Sequence, residues 1–174
     1  MRRLLVVVML LIPVIAWCQE SKKRESVKKV NEVKKGDCCP GFIFKDTEGK
    51  EVSLKQFKKK YVVIDVWASW CHPCKQEYPT LKKIAEKYKN RNIVFVSISC
   101  DHQEQRGRNE LGWGKMTGYQ WWIAGDNSFM FAFQVSSIPR LILLDKKGRV
   151  MNLKLPKPSS SEFEKILKEL KGIV

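Results

Sequence analysis

Apolar and polar residues change rhythm several times along the chain, and each rhythm predicts an element. Tyr61-Val62-Val63-Ile64-Asp65-Val66-Trp67 is a nearly continuous β-branched and aromatic run, interrupted only by Asp65. Such a run reads as a central strand buried on both faces. After Ala68-Ser69-Trp70 the spacing becomes helical. Tyr78, Leu81, Ile84, Ala85 and Tyr88 predict a helix that starts near Cys71–Pro73. Pro73 suits a first helical turn, whereas Pro79 lies inside the helix and is expected to kink it, because it lacks a donor N–H. Ile93-Val94-Phe95-Val96-Ser97-Ile98-Ser99 predicts the next strand. Strand, helix, strand is a βαβ unit, so the two strands should run parallel with a right-handed crossover.

Flanking segments complete the pattern. Gly41–Phe44 and Glu51–Leu54, joined by the turn Asp46–Lys50, predict a β-hairpin ahead of the main domain. Residues 19–36 are polar and lysine-rich and read as a mobile tail or weak helix. Beyond the βαβ unit a helix is expected around 103–111, then an irregular stretch, then a short helix around 128–133. Trp113, Trp121 and Trp122 read as packing residues and His102 as a surface residue. Arg140–Asp145 predicts a strand, Lys146-Lys147-Gly148 a turn, and Arg149–Leu153 an antiparallel return. Ser161 and Glu164 have the spacing of a capping box ahead of an amphipathic helix carrying Phe163, Ile166, Leu167 and Leu170. The expected order is hairpin, β, α, β, α, β, β, α, an α/β fold with a mixed central sheet and helices on its faces.

Length and composition add a boundary and a location. A chain of 174 residues suits one domain with a full core, placed at residues 37–174. Residues 1–18 stand apart: a basic start at Arg2-Arg3, an apolar run from Leu4 to Ala16, and polar sequence from Gln19. That layout is a secretory signal peptide, and the run falls short of the ~20 residues of a spanning helix. An uncleaved membrane anchor is the rival reading. Trp17 before Cys18 disfavours a lipoprotein signal. The net charge of +15 reads first as solubility, and secondarily as attraction to an anionic membrane surface or acidic partners. No nucleic-acid motif is visible.

Of the six cysteines, at 18, 38, 39, 71, 74 and 100, one pair carries chemistry. Cys71-His72-Pro73-Cys74 sits at a strand-to-helix junction. A helix N-terminus favours thiolate over thiol, so Cys71 reads as the nucleophile. Cys74, one turn on and expected to be the more buried, would resolve the mixed disulfide. His72, if cationic, would stabilise the thiolate further, and Pro73 stiffens the turn. Zinc would need two more ligands, and adjacent Cys38-Cys39 are poor chelators. Lys75 after Cys74 excludes a c-type haem motif. Cys38, Cys39 and Cys100 read as small hydrophobes, with a second disulfide from Cys100 to 38 or 39 as the sharper alternative.

Val66-Trp67-Ala68-Ser69-Trp70-Cys71-His72-Pro73-Cys74-Lys75 resembles the active-site motif of thioredoxin-like proteins, specifically the exported TlpA/ResA branch. The predicted hairpin, Glu77 and Pro79 after the motif, and Ser137-Ile138-Pro139 before a strand support the likeness over roughly residues 37–171. The resemblance implies a thioredoxin fold and further roles. Pro139 would be a cis-proline beside the redox pair, exposing the backbone of Ile138 to an extended substrate. Buried Asp65 would shuttle a proton for Cys74, and Glu77 would assist proton transfer. Trp70 would help to bind substrate.

The function expected is an exported, periplasmic thiol–disulfide oxidoreductase. It would act as a reductase on envelope protein thiols or disulfides, recharged by a membrane dithiol donor, as a monomer, with no cofactor beyond the Cys71–Cys74 disulfide. A thiol oxidase or isomerase stands as the alternative within the class. A non-catalytic envelope binding module or metallochaperone stands outside it.

Overall fold

The computed structural model describes residues 31–111 and 118–173. The expected signal peptide, Cys18, the first part of the tail and Trp113 lie outside the described residues. Seven strands form one sheet: β1 (Phe44–Lys45), β2 (Glu51–Val52), β3 (Tyr61–Trp67), β4 (Ile93–Ser99), β5 (Tyr119–Trp122), β6 (Arg140–Leu144) and β7 (Val150–Asn152), in the order β2-β1-β5-β4-β3-β6-β7. Among the described residues four α-helices accompany them: α1 (His72–Lys87), α2 (Glu104–Leu111), α3 (Ser128–Ala132) and α4 (Ser161–Lys168). The fold is thioredoxin-like, with a mixed sheet flanked by helices.

Strand β3 organises the sheet. It pairs parallel with β4 and antiparallel with β6, so hydrogen bonding is satisfied along both of its edges. Its side chains alternate between two apolar layers, as pleating requires. Val62, Ile64 and Val66 pack toward Phe42, Phe44, Trp121, Phe129 and Phe133. Tyr61 and Val63 pack on the other face with Leu81, Ile84 and Ala85 of α1 and Phe163 and Leu167 of α4. That parity places Asp65 on the α1 face, directly opposite Ser97 of β4 in register.

Three expectations need correcting. The stretch read as irregular contains strand β5, parallel to β4 through Val96↔Tyr119 to Ser99↔Trp122, and its end pairs with β1 at Lys45↔Trp122. Trp121 is therefore a strand residue, stacked between Phe44 and Phe57. The residue capping α4 is Ser160, whose Oγ accepts from Glu162 N at 3.3 Å, one position ahead of the expected Ser161. The end of the supposed tail is packed: Val33 is buried in the core and donates its N–H to Ala132 O at 2.8 Å, and Gly36 N donates to Val150 O.

Helix α3 shows how steeply burial varies within one turn. Phe129 is fully buried and meets the rings of Phe42, Phe44 and Phe133 at 4.7–5.5 Å between centroids, whereas Phe131 is 74% exposed. Phe129→Ala is expected to destabilise the protein by about 3–5 kcal/mol, through lost burial and a residual cavity. Phe131→Ala should stay within about 0.5 kcal/mol. Urea unfolding of the two variants checks this, and equal losses would refute the packing assignment.

Candidate active site

Strand β3 delivers the chain to the carboxyl edge of the sheet, the usual place for α/β sites. Ala68, Ser69 and Trp70 turn it, and α1 begins with Cys71 as its N-cap. Cys71 and Cys74 are joined by a disulfide, with Cα atoms 5.3 Å apart. Cys71 Sγ accepts a hydrogen bond from Cys74 N at 3.2 Å. In the reduced state the same donor, with the positive end of the helix, favours a thiolate on Cys71. Pro73 stands in the first turn, where a missing N–H costs no helical bond.

The pair is sealed from below by Trp67 and Ala68, with Tyr78, Cys100 and Ile138 alongside. Trp70, by contrast, is 66% exposed, so the two tryptophans of the motif do different work: one packs and one faces solvent. Contrary to expectation, Cys74 is not the more buried residue of the pair. Cys71 is 3% and Cys74 8% exposed, because the capping position folds Cys71 against the end of β3. Register Val66↔Arg140 brings the start of β6 level with the end of β3, and the Ile138–Pro139 peptide just before it is cis. Ile138 thus lies beside the disulfide.

Of the expected proton carriers, Asp65 is on β3, partly accessible as a residue but with its carboxyl enclosed. Burial pushes that carboxyl up to about 7, and the long hydrogen bond from Ser97 Oγ, at 3.4 Å, pulls it only weakly back. Glu77 is engaged elsewhere in this oxidised structure. Its two oxygens accept from Ser159 N at 2.9 Å and Ser159 Oγ at 2.8 Å, which ties α1 to the segment ahead of α4. His72 is exposed, with its Nε2 3.2 Å from the Gln76 amide nitrogen.

One residue escaped the sequence reading. Asp101, at the carboxyl end of β4, is fully buried and accepts three hydrogen bonds: from Ser69 N at 2.9 Å, Ser69 Oγ at 2.7 Å and Ser99 Oγ at 2.8 Å. Its carbonyl accepts from Trp122 Nε1 at 2.7 Å. Asp101 therefore pins the loop two residues before Cys71. Helix α2 reaches this network through Gly107, where an added Cβ would stand 3.0 Å from Ser99 Oγ and 3.4 Å from an Asp101 carboxylate oxygen. The available signal was an acid at the carboxyl edge of a buried parallel strand, the same edge as Cys71.

The remaining cysteines do not form the second disulfide considered from sequence. Cys38, Cys39 and Cys100 are free thiols. Cys100 belongs to the carboxyl edge, its N–H donating to Trp67 O, while Cys38 and Cys39 border Arg149 and Gly148 at the opposite end of the sheet. Burial, reinforced by Asp101, pushes the Cys100 thiol up to about 11 and keeps it protonated.

Two outcomes follow from this geometry. Asp101→Ala strands one buried donor, Ser99 Oγ, and two part-buried ones on Ser69, and is expected to cost about 1–3 kcal/mol of stability. As a positioning residue it should also change the rate at which reduced Cys71 is alkylated, measured against unfolding in urea. Unaltered stability and alkylation would show the latch to be idle. For Asp65, the unfolded carboxyl ionises near ~4 and the folded one near 7. Between those values the folded chain holds the extra proton, so stability falls as pH rises and the penalty is complete above about 7. Asp65→Asn should flatten that slope in urea midpoints taken from pH 4 to 8; parallel curves for the two proteins would rule it out.

Comparison with known proteins agrees with this site. The family profile described as Redoxin matches residues 34–169. Thiol-disulfide oxidoreductase ResA of Bacillus thuringiensis subsp. konkukian is 27% identical over 144 residues, 82% of each chain. Among solved structures, one from Bacteroides vulgatus described as a thiol-disulfide oxidoreductase superposes with TM-score 0.73 at 31% identity, covering 82% of this chain and 98% of that one. A second from the same organism, with the same description, has TM-score 0.66 at 38% identity and covers 76% and 91%. With its thioredoxin-like fold and its paired cysteines at a helix start, this chain is a thiol–disulfide oxidoreductase and belongs to the Redoxin family.

Proposed function

We propose that the protein is an exported disulfide reductase that acts on protein disulfides of the cell envelope through Cys71 and Cys74. The observation that carries the reading is the Cys71–Cys74 disulfide at the N-terminus of α1, with Cys71 as the capping residue. Export is supported by the basic, apolar, then polar layout of residues 1–18, which would be removed or kept as an anchor. The domain then occupies residues 37–174 together with the packed lead-in from Val33. It works as a monomer, and a membrane dithiol donor recharges it.

The cycle balances as follows. The Cys71 thiolate attacks one sulfur of the substrate disulfide, forming a mixed disulfide and releasing the first substrate thiolate, which takes a proton. Cys74 then gives its proton to a base and attacks Cys71 Sγ. The mixed disulfide breaks, the second substrate thiol leaves, and the Cys71–Cys74 disulfide remains. Two electrons pass from the dithiol to the substrate. Asp65 is suited to the proton step, since it lies on the α1 face and ionises near the working pH. Glu77 takes part if its bond to Ser159 loosens in the reduced state. Trp70 and the Ile138 backbone flank the disulfide and receive the substrate chain, while His72 and Pro73 tune the pair.

Cys71→Ser is expected to reduce turnover of a model protein disulfide at least a hundredfold, and Cys74→Ala to accumulate mixed disulfides with envelope proteins. Retained turnover in Cys71→Ser would end the proposal. Direction is read from the reduction potential of the pair. A value near the about −270 mV of thioredoxin fits a reductase, and one near the about −120 mV of DsbA means the protein is an oxidase instead.

A further inference from the structure

The end of the sheet opposite the disulfide holds a cavity of about 580 Å³. It opens between the Cys38–Pro40 segment, the loop Leu54–Lys59 and the turn after β6. Its walls are clamped together by Cys39 N donating to Gly148 O at 2.9 Å and Lys59 N donating to Lys146 O at 3.0 Å. Lys59 is held there at φ 70°, a left-handed conformation that a residue with a side chain rarely adopts. The floor is apolar, made by Leu54, Phe57, Val62 and Leu144. The Cys39 wall is equally unpolar, because burial keeps its thiol neutral, pushed up to about 12.

The rim is charged and unbalanced. Five lysines line the cavity (Lys55, Lys58, Lys59, Lys146 and Lys147) against one acid, Asp145. Asp145 turns one carboxylate oxygen to its own turn, Oδ1 accepting from Lys147 N at 2.7 Å and Arg149 N at 2.8 Å. Lys146 Nζ is committed to Gly172 O at 2.8 Å. The other four make no ion pair with an acid among the described residues. Ammonium groups gathered at one rim repel one another, and an anion seated among them removes the repulsion.

We propose that this cavity binds an amphipathic anion, a carboxylate or phosphate carried on an apolar chain, with the lysines holding the charged group and the floor holding the chain. A bare inorganic anion would make no use of the apolar floor, and an uncharged chain would leave the lysines unneutralised. The volume suits a ligand of that size. The site is also separate from the redox chemistry. Val62 and Leu144 pair at the cavity end of the sheet and Val66 and Arg140 at the disulfide end, so an occupant leaves Cys71 and Trp70 clear.

The test uses the full oxidised chain and calorimetric titration with dodecanoate, dodecanol and inorganic phosphate. Dodecanoate should bind at least tenfold more tightly than either of the others. Lys55→Glu with Lys147→Glu should weaken it at least tenfold. Lys83→Glu with Lys154→Glu, an equal change of charge away from the cavity, should leave it within twofold. Both pairs should keep wild-type disulfide-reducing turnover, which shows that they fold. In the unaltered protein, dodecanoate should slow alkylation of Cys39, followed by mass spectrometry. Vesicles of phosphatidylglycerol and of phosphatidylcholine then separate the sources. Phosphatidylglycerol binding lost in the first pair and kept in the second indicates a membrane lipid; dodecanoate binding without it indicates a free anion. Dodecanol or phosphate binding as tightly as dodecanoate, equal losses in the two pairs, or no protection of Cys39 would overturn the proposal.

Discussion

Burial of β3 on both faces is the constraint from which the rest of the structure follows. A strand with apolar residues on both sides must be covered twice, and it is paired along both edges as well, over seven residues with β4 and over Val62–Val66 with β6. The hairpin, β5 and α3 supply one cover, and α1 and α4 the other. Because α1 must start where β3 ends in order to fold back across the sheet, the helix N-terminus and the carboxyl edge coincide. Cys71 stands at that coincidence. The chemistry therefore sits where packing alone would place the junction, and no separate device is needed to bring the two cysteines to a helix start.

Two acids near this junction meet the cost of burial in opposite ways. Asp101 receives three hydrogen bonds from short serine and backbone donors, so its carboxylate oxygens are satisfied where they stand. It can serve as a fixed anchor. Asp65 receives one long bond, and burial instead raises its ionisation to about 7. The two aspartates differ in how many donors reach the carboxylate, three for Asp101 and one for Asp65. Glu77 resembles Asp101 in this respect, since both its oxygens are taken by Ser159. The oxidised protein thus binds both Glu77 oxygens and gives Asp65 only one long bond.

The sequence disclosed what is local. Continuous apolar runs announced β3 and β4, the 3.6-residue spacing announced α1, and the Cys-x-x-Cys motif announced the site. What it hid depends on contacts distant in the chain. Strand β5 is only four residues long, and its Trp121 and Trp122 are equally consistent with packed loop residues until Lys45 is seen to pair with Trp122. Asp101 bonds Ser69 from 32 positions away, and nothing near Asp101 signals that partner. Val33 looked like part of a lysine-rich tail because Val27, Val30 and Val33 are the only apolar residues between Gln19 and Gly36, too sparse a set to announce a core position. Its burial depends on α3, a hundred residues later. The relative burial of Cys71 and Cys74 was misread for a related reason. Position along a helix suggested depth, but a capping residue folds back against the strand it leaves.

The sheet also explains why this small domain can host two independent sites. Strand β3 spans roughly 20 Å at ~3.3 Å per residue. Its two ends meet different surroundings. At the carboxyl end, helix starts and buried acids gather around sulfur. At the amino end, loops rich in lysine border the apolar floor of the cavity. The register of β6 against β3 fixes both ends at once, because Leu144 cannot shift along Val62 without Arg140 shifting along Val66. A one-residue slip would also turn every core side chain of β6 to the wrong face. The core that holds the disulfide against Ile138 thus holds the opposite cavity in shape as well, while the intervening length of strand keeps the charge at one end from acting strongly on the sulfur at the other.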